Sequence, residues 1–183
     1  MNIKKTSWGD CVGIFLDECP EGKKGKKLTR HTGRVIQIVS EIVCELKCCT
    51  NVILHEKMLY QSALFHDIAK FHFGKKRHHK KAKKMLSWYF SLNKGLNKRC
   101  SVIKAHKGKF APFRKRALEA AILRMADKID KINQGKRADF VDAYRKSMNK
   151  IEKFFRKEGL ALFDAFQQSC EVVANRYISC YGI

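Results

Sequence analysis

The stretch from Ser62 to Lys70 reads Ser-Ala-Leu-Phe-His-Asp-Ile-Ala-Lys and closes an apolar segment that has helical periodicity. An ionised Asp67 after these mostly apolar positions is costly to bury unless a cation compensates its charge. A metal ion would supply that charge, and so would Lys70, which lies three residues further along the same helix face. The stretch therefore predicts a buried polar centre at the end of a helix.

The apolar residues on both sides of this stretch also recur at helical spacing. Val35, Val39 and Ile42, for example, follow one another at steps of four and three residues. We predict helices over 31–48, 52–70, 79–90, 101–106, 114–133, 139–157 and 160–181. Turn residues from Pro20 to Gly25 predict a basic loop before the first helix. The chain of 183 residues is therefore predicted to be all-α, a bundle of about six or seven helices.

The charge of the chain is unevenly distributed. Lysine and arginine number 39 and aspartate and glutamate 17, so the net charge is 39 − 17 = +22. Residues 68–118 contain 17 of those cations and no acidic residue. A run this one-sided repels itself, which favours a phosphate-rich partner that neutralises it. The alternative is a solvated basic face.

The cysteines and the hydropathy pattern indicate the cellular compartment in which the protein works. The eight cysteines include no CxxC pair, so we interpret them as small core residues in a reducing environment rather than as a zinc site. No apolar run reaches the roughly 18 residues that a membrane span needs. No apolar stretch of a secretory signal follows the first lysines. We expect a cytoplasmic protein without a membrane partner.

Further histidines and one aspartate extend the His66-Asp67 doublet into an ordered pattern. His31 opens the first predicted helix, His78 or His79 opens the third, His106 ends the fourth, and Asp127 lies in the fifth. The run His-Asp-Ile-Ala-Lys, with these residues in this order, resembles the signature of the HD-domain metal-dependent phosphohydrolases, which are all-α. The resemblance extends from about residue 28 to about residue 140. A lone His-Asp doublet is a weak signal, whereas the ordered set on successive helices is a strong one.

The resemblance implies a metal site and a domain organisation. One divalent ion would be held by His31, His66, Asp67 and Asp127, and Asp67 would bridge to a second ion held also by His78 and His106. His78 is favoured over His79 because it precedes the small residue Ala82 by four positions. Mixed histidine and carboxylate ligation suits Fe, Mn, Co or Zn. We expect an N-terminal extension over 1–27, an HD-like domain over 28–157, and a C-terminal helix over 158–183 packed on the bundle or on a second copy.

The resemblance also implies residues that act on substrate. Asp67 and Lys70 are the expected catalytic residues, with a salt bridge to Asp67 as the alternative role of Lys70. The basic segment surrounds these ligands in the sequence, so its side chains are also candidate contacts for substrate phosphate, or else simply solvated: Lys70, Arg77, His79, Lys80, Lys81, Lys107 and Lys109.

Three functions remain open at the level of sequence. The first is hydrolysis of a phosphoester or phosphoanhydride bond in a nucleotide or related phosphorylated molecule, by a metal-activated water. The second is cleavage of RNA or DNA phosphodiesters, which the basicity favours because many phosphates reward many lysines. The third is a non-catalytic HD scaffold that binds nucleic acid or a protein. The oligomeric state stays open.

Overall fold

A computed structural model describes residues 7–74, 78–90 and 94–180 of the chain. In these ranges the structure is all-α, as the sequence predicts, with nine α-helices rather than six or seven. The helices are α1 (Trp8–Glu18), α2 (Gly22–Cys49), α3 (Glu56–Phe65), α4 (Ala69–Phe73), α5 (His78–Leu86), α6 (Lys94–Ala105), α7 (Ala117–Asn133), α8 (Arg137–Lys157) and α9 (Phe163–Cys180), with a 3-10 turn at Arg114–Arg116 before α7.

The main core lies around α7, which is buried on almost every side of its axis. The apolar face of helix α2, from Val35 to Leu46, packs against α7. Helices α8 and α9 cover further faces with residues such as Phe155, Phe166 and Val173, and α3 and α6 also pack on α7. A helix in such a central position also buries charged residues, among them Asp127 and Asp130, and these need partners inside the protein. The packing of α2 against α7 therefore fixes the relative positions of the residues that these two helices carry.

A smaller core holds the other half of the molecule together. Phe65 and Ile68, on either side of the His66-Asp67 doublet, pack with Met85 and Leu86 of α5 and with Phe15 of α1. Helix α5 also packs on α4 and α6. This second core brings the start of α5 and the end of α6 next to the doublet.

The predicted helix over 52–70 is divided in the structure. Helix α3 ends at Phe65, the next three residues form a turn, and α4 begins at Ala69. The doublet lies in this turn, where His66 Nδ1 donates a hydrogen bond to the carbonyl of Ala63, 2.7 Å away. Apolar periodicity continues across the turn because the residues on both sides pack into the same core, so the pattern alone does not reveal the break.

The predicted basic loop before His31 is wrong, because α2 already begins at Gly22. Lysine and arginine are good helix formers, and Gly25 is there for close packing rather than as a helix breaker. A Cβ atom at Gly25 would lie 1.7 Å from the carbonyl oxygen of Pro20. The preceding α1 is a helix that the sequence analysis did not predict, capped by reciprocal hydrogen bonds between Ser7 and Asp10.

At the other end of the chain, α9 packs along α2 and buries Phe163, Phe166 and Cys170. The hydroxyl of Tyr177 donates a hydrogen bond to Glu41 on α2 at 3.0 Å. Among the described residues, no helix combines the length and apolar character that crossing a membrane requires.

Candidate metal centre

Four side chains from three parts of the fold converge beside α7. His31 comes from α2, His66 and Asp67 from the turn after α3, and Asp127 from the middle of α7. His31 Nε2 lies 3.1 Å from His66 Nε2, 3.3 Å from Asp67 Oδ2 and 3.5 Å from Asp127 Oδ1. His66 Nε2 lies 3.6 Å and 3.8 Å from the same two carboxylate oxygens. Four potential ligand atoms thus face one point.

A second group forms on the other oxygen of the same aspartate. Asp67 Oδ1 lies 2.9 Å from Nε2 of His78, the first residue of α5, and 3.6 Å from Nε2 of His106, just after α6. In each of the two groups the ligand atoms lie within 4.8 Å of one another. The aspartate of the doublet is therefore shared, with one oxygen for each group.

The histidines are oriented so that Nε2 faces the centre. His66 Nδ1 donates to the carbonyl of Ala63, and His106 Nδ1 donates to the carbonyl of Ile103 at 2.5 Å. A carbonyl can only accept, so the neutral ring must carry its proton on Nδ1 and keep its lone pair on Nε2. Such a second hydrogen bond is the usual partner of a metal-binding histidine.

The orientation of His31 depends on a residue that the sequence analysis missed. His31 Nδ1 donates to Oδ2 of Asp130 at 2.7 Å, and Asp130 is fully buried. Arg34 and Gln134 donate to the same carboxylate at 2.5 Å and 2.7 Å. Asp130 follows Asp127 by three residues and so shares its helix face, which is the signal that could have identified it.

The donor chemistry fits a divalent cation. Two carboxylates and two imidazole lone pairs facing one another within about 4 Å repel unless a positive charge lies between them. Asp67 Oδ1 and His106 Nε2 are buried, and neither makes a well-directed hydrogen bond with a residue that the structure describes, although Nε2 of His78 lies 2.9 Å from that oxygen. Buried polar atoms are rarely left in this state, and a coordinated ion would satisfy both of them. Nitrogen and carboxylate ligands together suit Fe, Mn, Co or Zn.

The charges of these side chains show how the cluster is balanced without an ion. Burial opposes a charged His31, but its hydrogen bonds to Asp130 and Asp67 outweigh burial and raise its pKa to about 9. Burial would also raise the pKa of Asp67, yet His66 and the other histidines around it hold that pKa well below the usual range. His106 is fully buried, which lowers its pKa to about 3 and keeps its imidazole neutral. A proton on His31 thus supplies part of the positive charge.

Two lysines supply more of the positive charge that balances the aspartates. Lys70 Nζ makes a short ion pair with Oδ2 of Asp67, the alternative role that the sequence suggested for this residue. Lys128 Nζ lies 2.5 Å from Oδ2 of Asp127 and is itself buried, although nothing in the sequence analysis singled it out. Burial lowers the pKa of both lysines, and the adjacent aspartates oppose that effect.

The predicted phosphate contacts are dispersed around this centre. His79 lies behind the second group, with its ring centroid 6.0 Å from that of His106. Lys80 and Lys109 are exposed, and Lys107 is partly exposed and electrostatically coupled to Lys70. Lys81 lies over the ring of Phe73, 5.2 Å from its centroid. Arg77 lies outside the described residues. Their roles toward phosphate stay predictions.

Four histidines and two aspartates that converge from separate helices define a candidate metal centre of the kind that helical bundles build in their cores. The family model described as HD domain matches residues 28–132, a range that contains all six of these side chains. The chain therefore belongs to the HD domain family, whose members are mostly metal-dependent hydrolases. Searches of the curated proteins and of the solved structures gave no significant match.

Proposed function

We propose that this protein is a metal-dependent phosphohydrolase that cleaves a phosphoester or phosphoanhydride bond in a nucleotide or related phosphorylated substrate. The observation that carries the proposal is the division of Asp67 between two groups of ligands, with one oxygen for each. A purely structural ion would need one closed set of ligands. Two adjoining sets that share a carboxylate are the arrangement that two-metal phosphate chemistry requires.

The six side chains take separate roles in this proposal. His31, His66, Asp67 and Asp127 would hold one divalent ion, and Asp67, His78 and His106 would hold the other. When bound, such ions lower the pKa of a coordinated water and offset charge on the phosphoryl oxygens. The carbonyls of Ala63 and Ile103 keep the rings of His66 and His106 turned toward the centre.

Lys70 is the proposed contact for the phosphate under attack. Its Nζ already lies against Asp67, and it is part-buried at the edge of the centre. An ammonium group in this position holds a phosphate as a point charge and stabilises negative charge that develops there. Lys107 adds to the positive potential on the same side because it is close enough to influence Lys70 and Lys128.

The test combines metal analysis with a substrate panel. The purified chain should contain a transition metal or bind Mn²⁺ or Co²⁺, and it should hydrolyse at least one member of a panel of nucleotides, dinucleotides and short RNA or DNA. Asp67→Ala should lose both properties. His55→Gln changes an exposed histidine outside the centre and should keep both. A wild-type chain that binds no metal and turns over nothing would overturn the proposal.

A second candidate function is that of a nuclease. The observation in its favour is the basic segment 68–118, which contains 17 cations and no acidic residue and includes two of the proposed ligands, His78 and His106. A strand of phosphates rewards such a segment more than one small phosphate does. Metal binding with affinity for nucleic acid but without turnover would indicate instead the third possibility, a non-catalytic scaffold.

A further inference from the structure

A groove lies between α5 and α6, on the far side of His79 from the metal centre. It has a volume of about 260 Å³ and is open to solvent. Lysines from both helices line it, Lys80 and Lys83 from α5 and Lys104 from α6. Phe113 lines it from the loop before α7. Nothing in the metal chemistry described above uses this groove.

The groove is built for negative charge. Its three lysines are exposed, and none of the residues that line it is acidic. Three cations within one small groove repel one another, so the free protein bears an electrostatic cost that an anion would relieve. Lysine commonly binds phosphate, which it holds as a point charge.

The groove also presents an aromatic ring. Phe113 is 55% exposed, which is unusual for a side chain of this size in a part of the fold where Phe110 is buried. Its backbone N–H donates to the hydroxyl of Ser101 on α6 at 2.8 Å, which fixes the loop against the helix. An exposed and held aromatic ring beside lysines is the combination that stacks a base while its phosphates are bound.

The position of the groove relates it to the metal centre. His79 lines the groove, and its ring centroid lies 5.6 Å from that of His78 and 6.0 Å from that of His106. One imidazole therefore separates the groove from the second group of ligands. A substrate with its reacting phosphate at the centre would reach the groove with a neighbouring part of the same molecule.

We propose that this groove binds a nucleotide unit of single-stranded nucleic acid, with phosphates on Lys80, Lys83 and Lys104 and a base stacked on Phe113. The inference rests on the proposed metal-dependent phosphohydrolase only for the place of the reacting phosphate, and it deepens the second candidate, the nuclease. It selects a strand rather than a free nucleotide, because the three lysines are additional to the cations beside the metal centre. A duplex would not offer its bases to the ring of Phe113.

The test measures binding without turnover. A fluorescein-labelled single-stranded oligonucleotide of about 12 nucleotides is titrated with the full chain in EDTA, and fluorescence anisotropy is followed over a range of salt concentrations. The triple variant Lys80→Gln, Lys83→Gln, Lys104→Gln should weaken binding at low salt by on the order of tenfold or more and reduce the salt slope by about 2. Phe113→Ala should weaken binding by about tenfold, and Phe113→Trp should retain it.

The matched control removes the same charge elsewhere. Lys23 and Lys27 on α2 and Lys153 on α8 are exposed and do not line the groove. Their triple replacement with glutamine should leave most of the affinity. Equal losses of affinity in the two triple variants would overturn the proposed role of the groove and indicate a diffuse charge effect. An unlabelled mononucleotide that competes as well as the oligonucleotide, or a duplex that binds as tightly, would also overturn it.

Failure of this inference is distinguishable from failure of the proposed function. If the protein hydrolyses a phosphorylated substrate and the groove variants bind the oligonucleotide normally, the proposed role of the groove is wrong and the proposed hydrolase function stands. If no turnover is found and the groove variants lose binding while the control does not, the groove stands and the hydrolase is wrong.

Discussion

His31 and Asp130 are 99 positions apart in the chain, yet Nδ1 of the histidine lies 2.7 Å from Oδ2 of the aspartate. This hydrogen bond turns Nε2 of His31 toward Asp67 and Asp127. It is the counterpart, made by a carboxylate, of the carbonyl hydrogen bonds that orient His66 and His106. Asp130 thus supports the candidate metal centre from behind and is not itself one of the potential ligands.

Replacing Asp130 with asparagine should weaken metal binding by about 10- to 100-fold while the chain stays folded. The amide keeps the shape of the side chain but removes the charge that raises the basicity of His31. Titration with Co²⁺, followed by its visible absorption, measures the change. Asp142→Asn removes a half-exposed carboxylate on α8 and is the matched control. Equal affinities in the wild type and Asp130→Asn would refute this positioning role.

The two groups of ligands should be separable by mutation. His78→Ala removes a ligand from the second group only, so the variant should lose one of the two proposed ions and keep the other. His79→Ala should keep both, because its ring lies behind that of His106 rather than among the ligand atoms. Metal content per chain, measured by mass spectrometry after dialysis, distinguishes the two variants. The reverse result would make His79 the ligand.

Removal of metal should lower the thermal stability of the protein. A ligand present at about 100 times its dissociation constant stabilises the native state by about 2.7 kcal/mol. For a chain of this size that corresponds to a change in Tm of about 5–10 °C. Melting curves in EDTA and in rising Mn²⁺ should show this dependence in the wild type. A Tm that responds equally in Asp67→Ala would show that the ion acts elsewhere.

Two glycines of α2 offer a test of the fold. A Cβ at Gly25 would meet the carbonyl of Pro20, so Gly25→Ala should destabilise the protein by about 1–3 kcal/mol. Gly33 lies on the same helix with no atom within 4 Å of an added Cβ. Gly33→Ala should therefore be neutral or stabilising by about 0.5–1 kcal/mol. Urea unfolding of the pair measures the difference, and similar effects at both positions would refute the start of α2 described here.

Much of the fold class and of the ligand arrangement could be predicted because both leave a local mark on the sequence. Amphipathic stripes such as that of α2 record which face is buried. The His66-Asp67 doublet is conspicuous because a charge there follows apolar residues. The order of the other histidines along the helices then indicated which of them would converge.

The remaining features depend on contacts that no local pattern records. Asp130 and Lys128 look like ordinary charges on a helix until α7 is placed at the centre of the molecule. Helix α1 contains Gly9 and Gly13, which weaken a helix when it is considered alone. Cys11 and Phe15 are buried only because other helices cover them. The groove requires Lys80 and Phe113, which are far apart in sequence, to meet across α6.

The most direct test of the central claim is the number of ions that Asp67 controls. Metal content per chain is measured for the wild type and for Asp67→Ala after loading with Mn²⁺ or Co²⁺ and desalting, with circular dichroism to show that both are folded. A shared carboxylate predicts about two ions in the wild type and the loss of both in the variant. A folded Asp67→Ala that retains the full metal content of the wild type would contradict the account.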